Sequence, residues 1–266
     1  MDLSSITPLI LTYNEEANLA RTLDRLTWAD RIVVIDSESG DDTRRIAQSY
    51  PQVDFITRPF DDHTSQWNFG VDQVKTEWVL ALDADYIISD AFTRELSALD
   101  DTHWVGGQAS FRYCIFGQRL RASLYPPRIV LFRREDGRYV QDGHTQRLSI
   151  AGPVKDLQTP IDHDDRKSLR HWLSSQKRYV HPEVEKLRGE EATNRLPDRL
   201  RKTRVLAPLV TPLYCLFVKG LILDGWPGWY YTLQRTYAEL LLALELLDRD
   251  LRAGDGDSSA SPDASR

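Results

Sequence analysis

Five apolar residues, Trp78-Val79-Leu80-Ala81-Leu82, run directly into Asp83-Ala84-Asp85. A strand with no polar residue cannot turn either face to water, so it belongs inside a sheet covered on both sides. Its C-terminal end is where open α/β sheets bind ligands. With one alanine between them, the two carboxylates can act on one ion if the chain turns there. A hard divalent cation, Mg²⁺ or Mn²⁺, suits such oxygen ligands and commonly meets substrate phosphates. An acidic turn after a strand is the plainer alternative.

The residues before this segment alternate. Ile6 to Thr12 reads as a strand, and Leu19, Leu23 and Leu26 give residues 15–26 a helical spacing. Arg31 to Asp36 is a β-branched strand, followed by the turn Ser37-Glu38-Ser39-Gly40 and a helix through Gln48 that Asp41 or Asp42 can cap. Val53 to Thr57 is a third strand, and residues 65–75 look helical. This alternation argues for a mostly parallel sheet with right-handed crossovers. No Gly-rich phosphate loop follows any strand, so carboxylates, a metal and the strand ends must hold any nucleotide. Later, Val105 to Phe116 and Arg128 to Arg133 read as strands, 139–150 as irregular loop and strand, and 169–187 as a charged helix.

The composition, 41% hydrophobic and 28% charged over 266 residues, is that of a folded protein. Cys114 and Cys215 have no metal-ligand spacing and make no disulfide framework, which favours a reducing compartment. A net charge of −6 argues against nucleic acid as partner. Residues 1–165 carry 17 basic and 27 acidic side chains, whereas 166–204 carry 12 and 5. Three regions follow: an α/β domain over 1–165, a basic and apolar helical region over 166–252, and a disordered tail over 253–266 rich in Ser, Asp, Gly and Ala.

Thr12-Tyr13-Asn14-Glu15-Glu16, then Val34-Ile35-Asp36-Ser37-Glu38-Ser39-Gly40-Asp41-Asp42-Thr43, Gln66-Trp67-Asn68-Phe69-Gly70 and Leu82-Asp83-Ala84-Asp85, resemble in type and order the family 2 glycosyltransferases. Tyr125-Pro126-Pro127-Arg128, Leu131-Phe132-Arg133-Arg134, Lys219-Gly220, Leu223-Asp224-Gly225 and Gly228 resemble the bacterial lipopolysaccharide-core β-1,4-glucosyltransferase branch. The resemblance implies a GT-A nucleotide-sugar-binding sandwich with a C-terminal helical appendage. It implies transfer from a nucleotide sugar, a UDP-sugar above others, to a cell-envelope glycan or glycolipid with inversion at the anomeric carbon. The residues that can line the donor are Thr12, Tyr13, Glu15, Asp36, Gln66, Asn68, Asp83, Ala84 and Arg128; a capping or turn role for Asp36, a first-turn role for Glu15, helix-surface roles for Gln66 and Asn68 and a solvated strand end for Arg128 are the alternatives. Tyr13 can stack on the base, and Asp36 can accept from a ring N–H. Arg128 can clamp phosphate. Asp83 and Asp85 are the metal ligands.

Two positions depart from the family pattern. Tyr86 stands where a Glu usually follows the Asp pair, and Gly143-His144-Thr145 stands where Val-His-Glu is expected. Inverting transfer needs a general base on the acceptor hydroxyl. Asp142 is the nearest carboxylate and is nominated; His144 is the alternative base or a third metal ligand, and Asp156 follows. These departures keep a non-catalytic nucleotide-sugar-binding relative open. A nucleotidyltransferase is the third reading, although Thr12 to Glu16 lacks its basic Gly-rich loop.

Val205 to Leu223 has one charge, Lys219, but Pro208 and Pro212 argue against a clean span. Trp226, Trp229, Tyr230 and Tyr231 follow, and Arg195, Arg199, Arg201, Lys202 and Arg204 lie upstream. Aromatics beside a basic run suit a membrane surface. The expected location is cytoplasmic, peripherally bound to the inner face of the plasma membrane; a helical hairpin packed on the domain or on a second subunit is the alternative.

Overall fold

A computed structural model describes residues 1–100, 103–142, 145–189 and 196–258. The chain divides into two compact units, Met1–Lys167 and Ser168–Arg266.

The first unit opens with β1 (Ile6–Thr12), α1 (Leu19–Leu23), β2 (Ile32–Asp36), α2 (Thr43–Gln48), β3 (Val53–Thr57), α3 (His63–Gln73) and β4 (Trp78–Asp83). It continues through β5 (Tyr86–Ile87), α4 (Asp90–Ala98), β6 (Gly106–Ala109), β7 (Phe111–Ile115), β8 (Gln118–Arg119) and β9 (Arg128–Arg133). β10 (Gly137–Asp142), β11 (Thr145–Ile150), β12 (Val154–Asp156) and β13 (Ile161–His163) complete it. Seven strands form one sheet in the order β12-β6-β9-β4-β1-β2-β3. β1, β2, β3 and β4 are mutually parallel, and β9 enters antiparallel to β4 and β6. The chain winds outward through β1, β2 and β3, then returns to place β4 on the other side of β1. That reversal is a topological switch point, where strand ends leave a crevice for ligands.

The apolar strands are divided between the two faces with the period of two that a pleated sheet imposes. Ile10, Val34, Leu80 and Leu82 join Leu19, Leu23, Phe92 and Leu96 on the face covered by α1 and α4. Leu9, Val33, Ile35, Val79 and Ala81 join Trp67 and Val71 of α3 on the other. At Gly70 of α3 a β-carbon would lie 2.7 Å from the Leu9 side chain, so the helix sits directly on the sheet.

Several elements differ from expectation. The helix read over 15–26 is confined to Leu19–Leu23, because the backbone of Glu15 and Glu16 bonds to the loop after β2 instead. The strand read over Val105–Phe116 is two strands: β6 lies in the large sheet and β7 in a four-stranded sheet ordered β5-β13-β7-β8. The 139–150 region is a regular antiparallel hairpin, β10 on β11.

The second unit comprises α5 (Leu169–Arg188), α6 (Leu196–Lys202), α7 (Leu206–Leu213), a π turn (Tyr214–Val218), a 3₁₀ turn (Leu221–Asp224) and α8 (Gly225–Ser258). Val180, Val184 and Leu187 of α5 pack on Leu242 and Leu246 of α8. Arg201 is held by Glu239 at 2.6 Å and Glu183 at 3.0 Å, so part of the basic block neutralises this unit's own carboxylates. Arg204 likewise pairs with Asp250 at 2.8 Å, and Arg195 lies outside the described residues.

Candidate active site

The C-terminal ends of β1, β2 and β4 converge at the switch point. Thr12 is level with Asp36, and Leu11 with Asp83. The loops after β1 and β2 are joined through their side chains. Ser39 Oγ accepts from the Asn14 N–H at 2.8 Å, and Asn14 Oδ1 accepts from the Gly40 N–H at 2.9 Å. Thr43 Oγ1 accepts from the Glu15 N–H at 2.7 Å, and Asp41 accepts from the Glu16 N–H at 3.1 Å. Asn14 and Glu38 adopt left-handed backbone, φ 54° and 61°. Asp36 is 1% exposed. Its Oδ1 accepts from the hydroxyls of Thr12 at 2.8 Å and Ser39 at 2.6 Å; among the described residues Oδ2 accepts one bond, from the Ser39 N–H at 2.9 Å. A carboxylate offers about four acceptor positions, so one on Oδ2 remains available.

Asp83 ends β4 and Asp85 follows the turn into β5. Strand β13 pairs antiparallel with β5, setting His163 level with Tyr86 and the Asp164 N–H on the Asp85 carbonyl. His163 Nε2 thereby lies 3.1 Å from Asp85 Oδ2. Tyr86, Tyr113 and Tyr125 meet the imidazole edge-on. The Tyr86 and Tyr125 hydroxyls are 2.5 Å apart, and Tyr86 also hydrogen-bonds Asp83. Arg128 lies 5.1 Å from the Tyr125 ring centroid, its charge acting on Asp83. Burial and the neighbouring Asp85 charge raise Asp83 above the usual carboxylate range. Burial opposes ionisation of Asp85 too, but the His163 charge and hydrogen bond hold it below its ordinary value. His163 is drawn down by burial yet held above its ordinary range by Asp85.

Asp85 Oδ1 and His163 Nδ1 are buried with no hydrogen-bond partner among the described residues. A buried carboxylate oxygen left unpaired is costly unless something completes it. The donor set of Asp83, Asp85 and His163 fits a hard divalent cation chemically. Among the described residues no three His, Cys, Asp or Glu side chains are already gathered around one ion position.

Of the residues nominated from sequence, Thr12 and Ala84 are buried at the strand ends and Tyr13 stands 48% exposed beside them. Arg128 is exposed on its strand end, and its charge acts on Asp83. At three nominated positions the side chains are already engaged by the fold. The Asn68 amide bonds both the N–H and the carbonyl of Tyr139 at 2.9 Å, tying α3 to β10. Gln66 is 1% exposed and spends its amide on Ser37, the Arg58 carbonyl and the Arg58 guanidinium. Glu15 is largely buried and paired with Lys167 and Asn18. Burial, with Asp85 adding to it against the pull of Lys167, lifts Glu15 to about 7. His144 and the Asp142 side chain lie outside the described residues; the Asp142 backbone closes β10, level with Thr145.

His163, Lys167, Tyr86 and Tyr125 were not nominated for the site. The available signal was Asp162-His163-Asp164-Asp165, a histidine inside an acidic run following a short strand-like segment.

Comparison with known proteins adds a family. The pattern described as glycosyl transferase family 2 matches residues 8–149. An uncharacterized glycosyltransferase of Rickettsia typhi is 31% identical over 102 residues, 38% of this chain and 35% of that protein. The lipopolysaccharide core biosynthesis glycosyltransferase LpsC of Rhizobium meliloti is 29% identical over 143 residues, 50% of this chain and 53% of that one. The chain thus spans about a third to a half of the length of the curated relatives it matches. Among solved structures, the mannosyltransferase PcManGT of Pyrobaculum calidifontis, in complex with GDP-Man and Mn²⁺, superposes with a TM-score of 0.52 at 15% identity. The superposition covers 91% of this chain and 87% of that one, and the shared fold is the GT-A type.

Proposed function

The chain belongs to glycosyl transferase family 2, and from that premise we propose that it transfers a sugar from UDP to a hydroxyl of a cell-envelope glycan or glycolipid, inverting the anomeric carbon. The observation that carries this reading is the convergence of Asp36, Asp83 and Asp85 on the crevice where the strand order reverses. The likeness to LpsC supports an envelope acceptor.

In this reading the exposed Tyr13 ring stacks on the base, and the free position on Asp36 Oδ2 accepts its ring N–H. Arg128 faces the diphosphate and stabilises the charge that develops as the sugar departs. Asp83 and Asp85, with His163 beside them, would hold a divalent cation. Bound there, such an ion supplies Lewis-acid stabilisation of the diphosphate leaving group. The PcManGT complex with Mn²⁺ and the orphaned Asp85 oxygen both support it. Asp142 remains our candidate base: it takes the proton from the acceptor hydroxyl as that oxygen forms the new bond opposite the departing nucleotide.

Calorimetric titration with UDP and GDP, with and without Mn²⁺, tests the donor; mass spectrometry of a lipopolysaccharide-core oligosaccharide incubated with UDP-sugars tests transfer. Tyr13→Ala should weaken UDP binding by roughly 1–3 kcal/mol, the usual worth of an aromatic stacked on a base. Absence of nucleotide binding, or tighter GDP than UDP binding, overturns the donor assignment. UDP binding without transfer to any envelope glycan favours the non-catalytic reading.

A further inference from the structure

We propose that α7, α8 and the break between them form a membrane foot, which seats an apolar face in one leaflet of a bilayer without crossing it. On α7, Leu206, Leu209, Val210 and Leu213 are exposed at helical spacing. At the break, Phe217, Val218, Leu223 and Trp226 follow, Val218 at 72% and Trp226 at 85% exposure. Along α8 one outward face carries Leu233, Tyr237, Leu240, Leu244, Leu247 and Leu251, three or four residues apart. Fourteen exposed apolar side chains in one stretch of chain are far more than the scattered single residues an ordinary surface carries. They are not the lining of an unfinished core, because α8 already packs its opposite face on α5 through Leu242 and Leu246.

The dimensions favour lying in a surface over spanning it. Thirteen residues from Leu206 to Val218 extend about 20 Å as a helix, against a hydrocarbon core of about 30 Å. No single helix among the described residues is long and apolar enough to cross; the two arms reach that length and apolarity only together, and they are bent by 70°. The bend is fixed by packing: a β-carbon at Gly228 would fall 1.9 Å from the Leu221 carbonyl oxygen, so the first turn of α8 rests on the backbone of the 3₁₀ turn.

The charges around the face suit lipid. Lys219 is the sole charge between Val205 and Leu223, and its ammonium lies 5.6 Å from the Tyr214 ring centroid, a stem that can reach the headgroups from an apolar turn. Arg199 and Lys202 are exposed on the neighbouring α6. Arg201 and Arg204 are bound to this unit's own carboxylates, which corrects the expectation that they serve lipid. Binding is therefore carried by the apolar face, with a small electrostatic part.

This inference is independent of the transfer reaction, and flotation tests it. The full chain is mixed with phosphatidylethanolamine–phosphatidylglycerol vesicles at 0.1 M and 1 M salt. It should float at both, losing at most a few-fold in partition at high salt, and lipids brominated in their acyl chains should quench its tryptophan emission. Combining Val218→Glu, Leu223→Glu and Trp226→Glu should reduce partition at least tenfold while leaving the melting temperature and UDP binding unchanged. Arg199→Gln with Lys202→Gln should remove only the salt-sensitive part. Failure to float at low salt overturns the proposal, as does complete release at 1 M. A lipid-free dimer that the triple variant dissociates, with no quenching by brominated lipid, assigns the face to a second copy and also overturns it.

Discussion

Lys167 and Glu15 form an ion pair beside Asp85, with 16% and 14% of their side chains exposed. Burial already lifts Glu15 to about 7, and the ammonium is what opposes that rise. Lys167→Met leaves a carboxylate with no counter-ion and should cost about 3 kcal/mol, the scale of breaking a buried pair. The sign with pH follows from proton binding. Without Lys167 the folded chain keeps a proton on Glu15 that the unfolded chain releases near 4.5, so stability falls as pH rises through that window and the loss is complete above the raised value. Urea unfolding at pH 5.5 and 8.5 should show the larger penalty at 8.5, and Glu15→Gln should rescue most of it. An equal penalty at both pH values would show that the pair acts through packing alone.

At the scale of elements, the Gln66-Trp67-Asn68-Phe69-Gly70 segment is architectural. Trp67 stacks on Tyr139 at 5.1 Å, Asn68 bonds both backbone groups of Tyr139, and Gly70 admits α3 onto Leu9. Asn68→Ala strands the Tyr139 backbone groups and should cost about 1–3 kcal/mol in thermal unfolding. Unchanged UDP affinity is expected; a large loss of affinity at full stability would return Asn68 to the donor site. The strands β2 and β4 were legible because apolar runs ending in a carboxylate have few alternative placements, and β1 and β3 followed from their short β-branched segments between turn signals. The α1 boundary was not legible, since its apolar spacing continues while the backbone of Glu15 and Glu16 is drawn to Thr43 and Asp41. His163 was hidden for another reason: it meets Asp85 through a pairing between β5 and β13 across some seventy-five residues, which no local pattern encodes.

At the scale of the whole molecule, two units with separate cores should not melt as one. On the proposed donor site, UDP with Mn²⁺ should raise the transition of the first unit and leave the other in place. Calorimetric scans with and without ligand check this; one transition shifting as a whole would mean that the units unfold cooperatively. The seating of Gly228 on Leu221 has a consequence for how the second unit meets its surroundings. Many amphipathic segments are disordered in water and coil into helices on arrival, so ordering entropy is subtracted from their affinity and a folding step slows their capture. Here the shape exists before the encounter. Docking is then a collision between two finished surfaces, quick to form and slow to reverse.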